Sequence, residues 1–379
     1  MKILPIFVFL VICLLLVSGC SAPPPATTHT STTSIPSQSP TTAPAITTVT
    51  PTQTLTQSPT LGKMTVSFID VGQGDSELIQ SPSGKVMLID AGPTDAGSKV
   101  VKYLQDQGIS TIDVVVATHP HEDHIGGMAA VLNAFTVKQF IDSGYPHTTS
   151  NYENMLNLID KKNIPFRTVT NGDTLTLDPA ISIQVLNPQK SFTDDINQNS
   201  VVLKMTFGKV SYLFAGDAGE PIENSYAGIA GHADILKVVH HGSSTSTGSA
   251  FLSKITPLVS VIEVGAGNSY GHPTSATLQR LQQAGSEVYR TDLDGTITIT
   301  SDGNTYLVDA TKSSGTTSIP VSTSGGTAVC DCSSNKYSCP DFSTQAAAQA
   351  CYNYCIAQGK GDIHSLDGDK NGKACESNK

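Results

Sequence analysis

Four things are scarce or missing in this chain of 379 residues, and each excludes something. Cysteine is absent from residues 62–311, so no thiol nucleophile operates there, although six of the eight cysteines crowd into residues 330–375. Positive charge is sparse, since residues 62–311 hold 15 Lys and Arg against 26 Asp and Glu, a net of −11. That balance argues against unspecific polyanion binding by a basic face. Long apolar runs are missing beyond Ile3–Val17, which excludes a polytopic membrane protein. Charge is missing altogether from residues 21–61, where His29 is neutral.

What is present divides the chain into five stretches. Lys2, the apolar run and Ser18-Gly19-Cys20 describe an export signal over residues 1–20. The ending Val-Ser-Gly-Cys resembles a bacterial lipobox, which implies lipidation at Cys20, an anchor in the cell membrane and an extracytoplasmic location; a plain secretory signal is the alternative. Residues 21–61, rich in Ser, Thr and Pro, read as a disordered tether. Residues 62–311 alternate strand-like and helix-like patterns and are long enough for one large core. Residues 312–328 form a second Ser/Thr/Gly linker, and residues 329–379 a small module whose cysteines imply disulfides and an oxidising compartment.

In the large block the spacing predicts strands over 64–69, 76–80, 85–90, 113–117, 174–177, 181–186, 200–207, 210–215, 235–239, 258–264, 287–289, 296–300 and 304–308. Helices are expected over 98–107, 127–135, 152–162, 248–254 and 275–283. Mixed strands with intervening helices imply an α/β fold of layered sheets with helices outside.

The strongest chemical signal is His119-Pro120-His121-Glu122-Asp123-His124, where a buried strand ends and a helix follows. Imidazole and carboxylate together suit zinc, manganese or iron. A chance polar loop is the bland reading, and further His and Asp residues downstream count against it. Other chemistries fare worse. Ser243 in His-Gly-Ser lacks the glycine pattern of a serine-hydrolase nucleophile, and no Gly-x-x-x-x-Gly-Lys occurs.

These residues resemble the His-x-His-x-Asp-His signature of the metallo-β-lactamase superfamily. The resemblance implies an αββα sandwich with one or two transition metal ions, zinc or manganese, at its edge. It makes His119 and His121 ligands of one metal and Asp123 and His124 ligands of a second. It makes Asp217, in Phe214-Ala215-Gly216-Asp217, the bridging carboxylate, and Asp90 the residue that orders the ligand loop. Asp70-Val71-Gly72-Gln73-Gly74-Asp75, His240-His241-Gly242-Ser243 and Gly271-His272-Pro273 further resemble the metallo-β-lactamase domain of the DNA-uptake channel ComEC. The superfamily's third-motif His is absent, with Asn197-Gln198-Asn199 in its stretch, so single-metal occupancy or manganese is a consistent outcome. His240 is taken as the late metal ligand, with His241 able to exchange roles with it because no spacing rule separates neighbours. Asp75 caps a glycine turn or lies near the metal as a carboxylate base. His272 starts a helix or meets substrate.

The implied activity is a surface-tethered, metal-dependent phosphodiesterase or nuclease acting on extracellular DNA, with Asp123, Asp217, His241, His272 and Asp75 in the chemistry and no protein partner indicated. The alternatives are a phosphoesterase acting on wall polymers and a binding protein without turnover on the same fold.

The last stretch carries a separate signal. Asp367, Asp369 and Asn371 alternate, Gly372 stands sixth, and Lys373 and Glu376 follow, the arrangement of a calcium loop. It resembles the excalibur domain, an extracellular module. Asn371 and the missing late Glu imply weak calcium binding, and a disulfide knot without an ion is the alternative. Six cysteines allow 15 pairings. Cys339–Cys375 is the first expectation, because it ties the module's start to the loop.

Overall fold

The computed structural model describes residues 62–312, 330, 332–342, 348–349, 351–352, 355, 360–368 and 373–375. The export signal, Cys20, the tether, the second linker and Asp369, Asn371 and Glu376 lie outside the described residues.

In chain order the strands are β1 Met64–Phe68, β2 Glu77–Gln80, β3 Val86–Ile89, β4 Thr111–Ile112, β5 Val114–Ala117, β6 Thr136–Val137, β7 Phe140–Asp142, β8 Phe166–Thr168 and β9 Thr174–Leu175. They continue with β10 Ile181–Asn187, β11 Val202–Phe207, β12 Val210–Phe214, β13 Ile235–Lys237, β14 Val259–Ile262, β15 Glu287–Arg290, β16 Ile297–Ser301 and β17 Tyr306–Ala310. Helices are α1 Gly97–Asp106, α2 Glu122–Ile125, α3 Met128–Ala134, α4 Ser150–Lys161, α5 Glu220–Ala230, α6 Ser249–Ile255, α7 Ser275–Gln283 and α8 Thr291–Asp294.

One eight-stranded sheet runs β17-β16-β1-β2-β3-β5-β7-β8 and one seven-stranded sheet runs β15-β14-β13-β12-β11-β10-β9. In both, a parallel half adjoins an antiparallel half. The parallel strands are apolar on both faces, as helix-covered strands must be. In β3 and β5, Met87, Ile89, Val114 and Val116 enter the core between the sheets, while Leu88, Val115 and Ala117 pack under α1, α3 and α4. The second sheet does the same, with Tyr212 and Phe214 inward and Leu213 against Tyr226 of α5 and Phe251 of α6. The layering is therefore helix, sheet, sheet, helix, the expected αββα sandwich.

Most predicted elements are present within a residue or two. The spacing did not predict β7, β8 or α5. The two strands are only three residues each, and α5 carries Pro221 near its start and Gly228 inside, so neither period was visible. In the C-terminal stretch the disulfides pair Cys330–Cys351, Cys332–Cys355 and Cys339–Cys375, the last as expected.

Candidate metal centre

The candidate residues gather beyond the carboxyl ends of the parallel strands, where α/β sheets place their ligands. β5 from one sheet ends at Thr118-His119, and β12 and β13 from the other end at Asp217 and His240. Asp90, just after β3, ties the first group together. Its two oxygens accept the Thr118 amide at 2.8 Å and the Thr118 hydroxyl at 2.6 Å, and it contacts His124 Nδ1 at 2.8 Å. With Nδ1 held there, His124 turns Nε2 toward the centre. His119 uses Nδ1 on Thr118 and Ser200, at 3.1 and 3.3 Å, and likewise directs Nε2 inward, 3.1 Å from His121 Nδ1.

Asp217 Oδ2 is the hub. It lies 3.4 Å from His124 Nε2, 3.6 Å from His240 Nε2, 3.7 Å from His241 Nε2 and 3.8 Å from His119 Nε2. Four imidazole nitrogens thus meet one buried carboxylate oxygen. His240 and His241 reach it from opposite orientations because both adopt left-handed backbone, φ 51° and 52°, which sets their rings 72° apart. Two such residues in succession cost on the order of 1–3 kcal/mol each.

The neighbours His240 and His241 are now distinguishable. His241 is buried, contacts the Glu263 carbonyl through Nδ1 at 2.9 Å, and brings Nε2 within 3.3 Å of Asp123 Oδ2. Asp123, His124 and His241 form one group of candidate ligands, and His119, His124 and Asp217 form another. His240 keeps 27% of its side chain exposed and sits on the open side of Asp217. His272 is beside it, edge to face at 5.7 Å. The helix-start reading of His272 does not hold, because Thr274 caps α7 by accepting the Thr277 amide. Asp75 lies behind the rings, 3.2 Å from His241 Nδ1 and 3.6 Å from His124 Nδ1, with its amide on the Asp123 carbonyl.

The stretch that lacks a third-motif His has another task. The Asn199 side chain is used on Thr193 and Asp195, and Ser200 Oγ accepts the Asp217 amide at 3.2 Å while touching His119. It braces His119 and Asp217.

Three residues that sequence reasoning passed over complete the surroundings. Lys237 is fully buried and ion-paired with Asp75, and its ammonium also donates to the Gly216 carbonyl at 3.3 Å. Glu77 and Glu263 are buried beside it. A signal existed, since a lysine inside the apolar run Ile235-Leu236-Lys237-Val238-Val239 and a glutamate in Val261-Ile262-Glu263-Val264 both contradict a buried strand unless partnered.

Charge follows from these contacts. Burial pushes the His119, His121 and His240 pKa values down and keeps those rings neutral. Burial also disfavours charge on His124 and His241, yet the carboxylates of Asp217, Asp123 and Asp75 together outweigh it, so both rise, His241 to about 10. For Asp75, burial raises the value, but Lys237, His241 and His124 together hold it down at about 2. Burial lifts Glu77 well above the carboxylate range, aided by Glu263, and lifts Glu263 to about 8.

A divalent cation fits this donor set. His124 Nε2, His241 Nε2 and Asp217 Oδ1 are buried without hydrogen-bond partners, an arrangement that costs free energy unless something occupies the space between them. Nitrogen and carboxylate donors together match first-row transition ions.

Comparison with known proteins agrees with the geometry. Residues 69–265 match the family model of the metallo-beta-lactamase superfamily, and the chain belongs to that superfamily, whose fold is that of metal-dependent hydrolases using divalent ions. It is 33% identical over 253 residues to ComE operon protein 3 of Bacillus subtilis, covering 61% of this chain and 32% of that protein. It is 30% identical over 239 residues to Recombination protein 2 of Haemophilus influenzae, covering 62% and 28%. The chain thus spans about a third of the length of these relatives. Among solved structures, the metallo-beta-lactamase fold protein YhfI from Bacillus subtilis matches at TM-score 0.42 and 17% identity, covering 60% of this chain and 96% of that one.

Proposed function

We propose that the protein is a metal-dependent phosphodiesterase that cleaves DNA outside the cytoplasm. The observation that carries this reading is the convergence of four histidine nitrogens on Asp217 Oδ2, with buried donors lacking partners. DNA as substrate is supported by the resemblance to competence proteins. His119, His121 and Asp217 would hold one ion, and Asp123, His124 and His241 would hold a second where two bind. His241 takes the late-ligand role here because it shares a group with Asp123 and His124 and its Nε2 lies 3.3 Å from Asp123 Oδ2, with His240 as the alternative. A divalent ion supplies Lewis acidity toward a phosphoryl oxygen and lowers the pKa of water. Asp90 and the Glu263 carbonyl hold the His124 and His241 rings in register, and Asp75, neutralised by Lys237, supports both from behind. His240, neutral, 27% exposed and with His272 beside it, would accept a proton at the open side of the centre. The net charge of −11 on residues 62–311 favours, as a second reading, a phosphodiester polymer less densely charged than DNA.

Purified full-length protein loaded with manganese or zinc should cleave single-stranded DNA or a chromogenic phosphodiester, and Asp217→Asn should abolish it. Metal-loaded protein that cleaves neither sinks the reading. The Cys20 lipid anchor and the tether belong to this proposal, as they would hold the enzyme at the outer membrane face. Among the described residues no helix is long and apolar enough to cross a membrane. A calcium ion at Asp367–Glu376 belongs to it as well. Asp362 Oδ1 and Oδ2 accept the Leu366 and Asp367 amides at 2.9 Å each, which shapes the start of that loop.

A further inference from the structure

We infer that Tyr270 is a stacking platform for an unpaired nucleobase of the substrate, adjacent to the scissile phosphate. The inference rests on the nuclease reading above and extends it to a binding subsite.

Tyr270 is 67% exposed, more than any other large hydrophobic among the described residues. Exposed aromatics are ordinary when they stand singly. Tyr270 does not. Its ring lies nearly parallel to that of His272, 5.7 Å between centroids and 23° between planes. His272 in turn meets His240 at 5.7 Å, and His240 Nε2 is 3.6 Å from Asp217 Oδ2. Three rings therefore lead from solvent to the hub carboxylate, with Tyr270 outermost.

The loop beneath is built to hold that position. Asn268 Oδ1 accepts the amides of Tyr270 and His272 at 3.2 and 3.0 Å, and Nδ2 donates to the Gly265 and His272 carbonyls at 2.9 and 2.6 Å. Gly265 donates its amide to Gln73 Oε1, which moors the loop to the one that carries Asp75. A side chain replacing Gly265 would put Cβ 2.6 Å from the Gln73 amide nitrogen, so the two backbones are in close contact. The entropy of ordering the loop is already spent in the free protein, and a ligand does not have to supply it.

Charge makes the platform necessary. A nucleic-acid strand approaching an acidic block gains little from counterion release, and Lys237 is buried behind Asp75 where no phosphate can touch it. Base stacking on an aromatic face tolerates any sequence and contributes about tenfold or more in affinity per base. It also requires the base to be free of its duplex neighbours.

The test compares oligothymidylate with an oligomer of equal length carrying abasic residues, using the full chain loaded with manganese. Wild type should cleave the first with kcat/KM about tenfold higher. In Tyr270→Ala the ratio should collapse toward one, and in Tyr270→Phe it should persist, with metal content by elemental analysis equal in all three. A wild-type ratio near one, or a ratio that Tyr270→Ala leaves unchanged, overturns the inference. If wild type cleaves neither oligomer, the nuclease reading fails on its own. Fluorescence anisotropy of the same pair then decides the platform, since equal binding of oligothymidylate by wild type and Tyr270→Ala overturns it.

Discussion

At the scale of single residues, the centre is a set of buried charges that hold one another in place. Lys237 offsets Asp75 deep in the second sheet, and removing one partner of such a pair leaves the other charged and unsolvated. Lys237→Met should therefore lose about 3–5 kcal/mol in urea unfolding, and Asp75→Asn added to it should recover part of that. No loss in the single variant would mean that Asp75 is satisfied by His241 and His124 alone. Asp142 allows a cleaner reading of pH. It is buried at the end of β7, accepts the Gly144 amide at 2.6 Å and the Tyr152 hydroxyl at 3.3 Å, and burial raises its carboxyl to about 6. A raised folded-state value means that its contribution is complete below about pH 4 and is lost as pH climbs through about 6. Asp142→Asn should keep both hydrogen bonds and gain on wild type between pH 4 and 7, by at most about 3 kcal/mol. Parallel stability curves for the two proteins over that range would show that Asp142 ionises normally.

At the scale of elements, the ligand loop is shaped by backbone contact as much as by its histidines. A Cβ on Gly127, before α3, would lie 2.1 Å from the Ala91 carbonyl oxygen and 3.0 Å from the Gly97 Cα, which packs α3 against the start of α1. Both obstacles are backbone, so the strain cannot relax through a rotamer. Gly127→Ala should cost more than about 2 kcal/mol and weaken metal binding, because the Ala91 amide also donates to the His124 carbonyl. Calorimetric metal titration alongside thermal unfolding would check both, and wild-type values for the variant would refute the packing argument. Element scale is also where the sequence reading thinned out. The histidine motif and Asp217 were legible, since each stands where an apolar strand pattern stops. Strands β7 and β8 were not, because three residues carry no period.

At the scale of the whole molecule, disulfides and core are segregated. Residues 62–311 contain no cysteine, while three disulfides join residues separated by 21, 23 and 36 positions in the C-terminal stretch. Each such closure stabilises by about 3 kcal/mol in small domains. Phosphine reduction should therefore leave the main thermal transition of the full chain in place and make residues 330–375 sensitive to limited proteolysis. A main transition that falls with reduction would show that the sandwich leans on the disulfide-bonded stretch.

Local chemistry was enough to determine from sequence that this is a layered α/β protein with a candidate metal centre of histidine and aspartate. Apolar periodicity dictates strands and helices, and ligand types dictate the class of ion, and both are properties of short stretches. Three matters waited for the tertiary structure. His240 and His241 are neighbours in sequence, and only the paired left-handed turn sends one toward Asp123 and the other toward solvent. His272 sits against His240 only because Asn268 folds its loop back on Gly265. Lys237 interrupts an apolar strand without apparent reason until Asp75, 162 positions earlier, is packed against it by the meeting of the two sheets. Burial and charge pairing are sums over residues remote in sequence, and those sums exist only once the sheets have closed on each other.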